Sequence, residues 1–306
     1  MSSATAEVVS FLDLTAFDPA TVEQLADQVH VSPQSRDAFV AQLREAAQSS
    51  PGPARMLAVA IGYWAVGHYG DALELFPKAE DGKYRRYYAG ECALAVGRYD
   101  DAVEYFKQAA SKGWDALSAD MRAAVAHIRK GDAAPAQALL RKHERAGPDR
   151  AEWHYVRGLL AERDDARETA LEHYEKALAL QPGHIEAMFR CAWLYDVCGE
   201  DDRAIAQYAA LAERPRVHVN ALINLAVLYE DIGRFADAAA CLRRVLDSHP
   251  NHARARLYLR DVESSRSMVI DESTEKRSET RSKLLETPIT EFELSVRARN
   301  CLRKMN

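Results

Sequence analysis

Small and large apolar residues recur along this chain on a fixed beat. A small residue is followed twelve positions later by alanine at Ala60/Ala72, Gly90/Ala102, Ala124/Ala136, Gly158/Ala170, Ala192/Ala204 and Ala226/Ala238. Successive units are offset by 30, 34, 34, 34 and 34 residues. Seven residues after the first small position stands a glycine, at Gly67, Gly97, Gly131, Gly199 and Gly233, with Asp165 in the remaining unit. Four residues after each alanine comes a large apolar side chain: Phe76, Phe106, Leu140, Tyr174, Tyr208 and Leu242. The pattern predicts two helices per unit. Small slots let the helices cross closely, Gly158 against Ala170, and the large residue fills the gap between units. The glycine ends the first helix in the left-handed conformation, at no Cβ cost. Pro148, Pro182 and Pro250 close three of the units, where a helix must stop.

The beat places six units at 53–82, 83–116, 117–150, 151–184, 185–218 and 219–252. A single unit cannot bury its apolar face alone, so units of this kind stack. Before them, Asp18-Pro19 and Ser32-Pro33 read as cap and first-turn pairs that start two helices. Ala26/Ala38 continue the beat backwards, but Gln42 takes the large slot, so residues 1–52 are expected to be a degenerate unit or a capping helix pair. Residues 253–266 read as a final solvating helix. The run 271–283 holds four acids, four bases and no apolar residue, which predicts a charged linker over 267–285 or a solvated helix with little packing. A short helix is expected at 296–304, where Arg297, Arg299, Arg303 and Lys304 give the last eleven residues a charge of +4.

The 34-residue unit resembles the tetratricopeptide repeat. The clearest copy runs from Glu-Trp-His-Tyr-Val-Arg-Gly-Leu at 152–159 to Glu-Lys-Ala-Leu-Ala-Leu-Gln-Pro at 175–182. The resemblance implies an all-α, right-handed superhelical solenoid that binds protein partners on its concave face. In this repeat type, positions 2, 5, 9, 12 and 13 of the first helix line that face. Here positions 5 and 9 are Tyr155 and Leu159, Phe189 and Trp193, then Ile223 and Val227. Later positions supply acids, among them Asp196, Glu230 and Asp231. An aromatic and apolar floor with an acidic edge suits an amphipathic helix or a partly basic peptide.

The C-terminal run Pro288, Phe292-Glu293-Leu294-Ser295-Val296-Arg297 and Asn300-Cys301-Leu302 resembles the opening of the C-terminal domain of the bacterial RNA polymerase alpha subunit. That resemblance implies a module over 286–306 that touches promoter DNA or polymerase. It places the family's minor-groove arginine and asparagine on Arg297 and Asn300.

Composition narrows the chemistry further. With 53 alanines among 306 residues, and only 14 glycines and 11 prolines, the protein favours helix throughout. A net charge of −6 argues against a surface coated with nucleic acid, leaving only a local basic end. The longest apolar run, Met56 to Val66, falls well short of the roughly 20 residues of a membrane span. The opening residues lack a basic region and an apolar stretch, so no signal peptide is expected. Cys92, Cys191, Cys198, Cys241 and Cys301 are odd in number with no C-x-x-C pair, which predicts a reducing cytoplasm. No glycine-rich phosphate cradle or H-E-x-x-H set appears, and His249/His252 at a turn reads as ordinary turn chemistry. No cofactor, metal or catalytic residue is therefore expected. The expected function is a non-catalytic adaptor, with a repeat arm that grips a protein and a tail that tethers it to transcription. The rival expectation is an assembly or chaperone-type scaffold with no role at nucleic acid.

Overall fold

The computed structural model describes residues 11–286, apart from Thr15 and Ser50. Among them are fifteen α-helices and no strand. Two helices come first, α1 (Pro19–Val29) and α2 (Pro33–Gln48). Asp18 and Ser32 cap them as the residue pairs predicted, each accepting from an amide three residues on at 3.1 Å. Six hairpins follow. They are α3 (Pro53–Ala65) with α4 (Tyr69–Leu75), α5 (Lys83–Ala95) with α6 (Tyr99–Ser111), and α7 (Ala116–Lys130) with α8 (Ala133–Lys142). Then come α9 (Ala151–Arg163) with α10 (Arg167–Leu180), α11 (Ile185–Val197) with α12 (Asp201–Ala212), and α13 (Val219–Asp231) with α14 (Phe235–Ser248). Helix α15 (Ala253–Glu286) ends the described residues.

The six units cross through their small slots. All ten slot alanines are at most 1% exposed, which leaves no room for a longer side chain between the paired helices. What sits against the slot glycine differs from the expectation. A Cβ on Gly158 would lie 2.4 Å from the Tyr174 ring, and one on Gly90 would lie 2.7 Å from the Phe106 ring. The large residue of each of these units therefore packs into the small slot of its own unit. The turn glycines all adopt left-handed backbone, and Asp165 does so at φ 56°, alone among the described non-glycine residues. Aspartate tolerates this region because its short polar side chain can bond locally. The missing glycine thus leaves the turn unchanged.

The ends depart from the beat. Ala38 is exposed, so α1 and α2 do not cross as the six units do. Instead α2 lies on α3, with Leu43 directly over Gly62, where a Cβ would come within 2.6 Å. At the other end, no linker interrupts 267–285: α15 is one helix of 34 residues. Ala255 and Val262 bury its first turns among the side chains of α14. Glu, Lys and Arg are good helix formers, so the charged run extends the helix without needing a core. Residues 287–306, including Arg297 and Asn300, lie outside the described residues.

Candidate functional site

The array curls until its ends meet. Arg216, in the connector between α12 and α13, donates to the Tyr69 hydroxyl at 2.8 Å, and its guanidinium lies 5.8 Å from the centre of the Trp64 ring. Arg36 on α2 donates to the Ser248 carbonyl at 3.3 Å. The segment before α1 is anchored inside the curve. Tyr88 donates to the Phe17 carbonyl at 3.2 Å, and the Phe17 ring stands edge-on to Tyr84 at 5.9 Å. Helix α1 then forms one wall of a cavity of about 600 Å³, with residues of the α12–α13 connector facing it.

A largely buried pair, Arg122 with Glu91, joined by the part-exposed Glu186, lies on the cavity wall. Arg122 on α7 grips both oxygens of Glu91 on α5 at 2.5 Å and one oxygen of Glu186 on α11 at 3.1 Å. It thereby ties the second, third and fifth units together. Burial works against the charge on Arg122, but the two carboxylates outweigh it and hold the guanidinium's pKa well above its usual value. Burial likewise opposes charge on Glu186, yet the Arg122 guanidinium outweighs it and the carboxyl is brought down to about 2. The Arg122–Glu91 pair is strong only while both members are present, because losing Arg122 leaves the Glu91 carboxylate in a dry place.

A second pattern went unread in the sequence. His184, His218 and His252 stand 34 residues apart, each followed three residues later by alanine. Each caps a first helix: Nδ1 accepts from the amides of Ala187, Ala221 and Ala255 at 3.2, 3.1 and 3.1 Å. An accepting Nδ1 puts the ring proton on Nε2. The His184 ring lies 5.0 Å from Tyr155 and the His218 ring 4.6 Å from Phe189. The aromatic at position 5 of one unit is thus covered by the cap of the next. Burial pushes His184 and His218 below the ordinary imidazole range, which favours the neutral, accepting form. The H-x-x-A spacing was the available signal.

Of the nine side chains expected to line a groove, the structure brings only Tyr155 to the cavity wall. It is 4% exposed, and its hydroxyl has no hydrogen-bond partner among the described residues. Leu159 and Ile223 are core residues at 7% and 1% exposure, so neither forms a groove floor. Phe189 is wedged between His218 and Tyr208, and Trp193 packs half-buried on the main core. Val227 is half-buried, Asp196 accepts from the Tyr208 hydroxyl at 3.5 Å, and Asp231 is exposed. Glu230 accepts from Ser265 of α15 at 3.2 Å. The groove rule assumes an open array with a bare inner face. Here the histidine caps, α1 and α15 cover much of that face. Among the described residues, no group of three or more His, Cys, Asp or Glu side chains is placed to hold a metal ion. No described helix is long and apolar enough to cross a membrane.

Fold and cavity together define a helical-repeat scaffold. Tetratricopeptide repeat profiles match residues 57–116, 93–161, 163–216 and 199–253, and the chain belongs to the tetratricopeptide repeat proteins. It is a non-catalytic scaffold for protein interactions. A profile of the C-terminal domain of the bacterial RNA polymerase alpha subunit matches 275–306. The photosystem I assembly protein Ycf3 of Synechococcus sp. (strain WH7803) is 38% identical over 88 residues, covering 28% of this chain and 50% of that protein. Its counterpart in Prochlorococcus marinus (strain NATL2A) is 34% identical over 87 residues, covering 27% and 50%. The chain spans about half the length of the curated relatives it matches. Among solved structures, yeast Tom70 superposes with a TM-score of 0.57 at 16% identity, over 93% of this chain and 62% of that one. A tetratricopeptide repeat protein from Parabacteroides merdae ATCC 43184 superposes with a TM-score of 0.52 at 11% identity, over 86% and 100%. These likenesses show the fold.

Proposed function

We propose that the protein holds a segment of a partner protein inside the curve of its array, against Tyr155 and the charged wall of the cavity. The observation that carries this reading is that Tyr155, from a groove-lining position, shares the wall of one open cavity with Arg122, Glu186 and α1. The occupant proposed is an amphipathic helix or a partly basic segment. A photo-crosslinking residue at Tyr155 tests the reading, with one at exposed Glu168 as the outer-face control. A discrete crosslinked polypeptide from position 155 alone supports it. Equal labelling from both positions, or none from 155, removes it.

The likeness to photosystem I assembly proteins supports a transient hold on the partner, in the manner of an assembly factor. A second reading links the scaffold to transcription and rests on the match at 275–306. On that reading Arg297 and Asn300 contact promoter DNA or the surface of polymerase. Binding of the whole protein to promoter DNA should then weaken steeply with added salt and disappear in Arg297→Ala. Binding that Arg297→Ala leaves intact, or no binding at low salt, overturns it.

A further inference from the structure

The two ends of the array meet without a shared core. Among the described residues, the apolar cluster around α1 to α5 and the one around α13 to α15 share no member, and Arg36 and Arg216 make hydrogen bonds across the gap. Arg216 makes the most specific of these contacts. Its guanidinium lies over the Trp64 indole and donates to the Tyr69 hydroxyl, an arrangement that a planar, forked cation fits better than a compact ammonium. Tyr88 stands edge-on to Trp64 at 5.0 Å and fixes the face the indole presents. Glu23, across the cavity on α1, has no ion-pair partner within 4.0 Å among the described residues. Partial desolvation pushes its carboxyl up, and the charges of Arg214 and Arg216 draw it back. Arg216 itself sits in the short connector between α12 and α13, outside any helix, so moving its side chain requires no helix to break.

We propose that Trp64 and Tyr69 form a receiving site for a guanidinium group, filled by Arg216 in the closed array and by an arginine of the partner when the partner is bound. The protein's own arginine is then a stand-in that keeps the array shut. An arginine on an entering segment replaces it and releases the contact between the ends. This rests on the reading of the cavity as a polypeptide site and names the side chain that site recognises.

The test uses the full protein and N-acetyl-arginine amide, with N-acetyl-lysine amide as the comparison. Binding is followed through the indole N–H signals in NMR, with Trp64 assigned from a Trp64→Phe variant. Removing the internal competitor in Arg216→Ala should tighten arginine-amide binding roughly tenfold and shift the Trp64 signal, while the lysine compound gains little. Trp64→Leu in the Arg216→Ala background should abolish the gain. If circular dichroism shows that Trp64→Leu does not fold, Tyr69→Phe in the same background should weaken binding about threefold. The proposal is overturned if Arg216→Ala binds no more tightly than the wild type. It is also overturned if the gain survives loss of Trp64 or if lysine amide gains equally. Because the probe is a single amino-acid amide, the result stands apart from the crosslink at Tyr155: either can fail without the other.

Discussion

Arg122 and Arg216 both reach across the inside of the array, yet they hold it in different ways. Arg122 has a side chain only 16% exposed and makes three short bonds to two carboxylates on separate helices. Arg216 has a hydroxyl and a ring face, at the rim. The first arrangement is expensive to disturb, because losing Arg122 strands the Glu91 carboxylate in a dry place. The second is cheap to disturb, because water and salt can replace what it loses. Permanent curvature and a releasable seam can thus be built from the same side chain. Desolvation and the number of partners decide which one results.

Breaking the Arg122–Glu91 pair should cost most. Arg122→Ala should lose about 3–5 kcal/mol in urea unfolding, because Glu91 is left buried and unpaired. Arg122→Met with Glu91→Leu should recover most of that loss. If Arg122→Ala unfolds like the wild type, the pair contributes little to stability. Next comes the dry crossing that both arginines presuppose. Gly158→Val should lose about 1–3 kcal/mol, because its Cβ collides with the Tyr174 ring.

The histidines should give a smaller, pH-dependent effect. His184 and His218 are depressed by burial, and His173, also by burial and beside Arg157 and His154, is brought down to about 4. Groups whose folded pKa lies below the unfolded one, near 6.5 for histidine, bind fewer protons when folded. Their stabilisation is therefore complete above about pH 6.5 and is lost as the pH falls from there towards 4. The melting temperature should drop across that window. His218→Asn keeps a good cap without titrating and should flatten the drop. An equally steep drop in the variant would place the pH dependence elsewhere.

The seam should give the smallest effect on stability and the clearest on shape. Raising salt from about 0.05 to 0.5 M shortens the reach of charge to a few ångströms. The wild type's radius of gyration in X-ray scattering should then rise, while Arg216→Ala should start larger and respond less. Scattering curves that coincide at both salt concentrations would show that the ends are held by something other than charge.

The six units could be read from the amino-acid order because their determinants are local. A slot that must be small and a turn that must be left-handed constrain one position each, at a fixed spacing. Asp165 shows how robust this is, since a residue that looked like an exception takes the same backbone. The site was far less legible. Leu159, Ile223 and Glu230 were assigned by their place within the unit, but burial and α15 removed them from the inner face. The histidine caps were periodic and visible, yet their contact with Tyr155 and Phe189 joins neighbouring units, and spacing within one unit does not report it.

The order of residues by itself determined that paired helices form, where each turn falls, and that the pairs must stack, because those outcomes follow from sterics over a few neighbouring positions. Only the tertiary structure decided how far the stack curls, that α1 enters the mouth, and that Arg122 and Arg216 find partners 64 and 147 residues away. Small rotations accumulate from unit to unit, and the ends meet only when their sum brings the Arg216 guanidinium within reach of the Trp64 face and the Tyr69 hydroxyl.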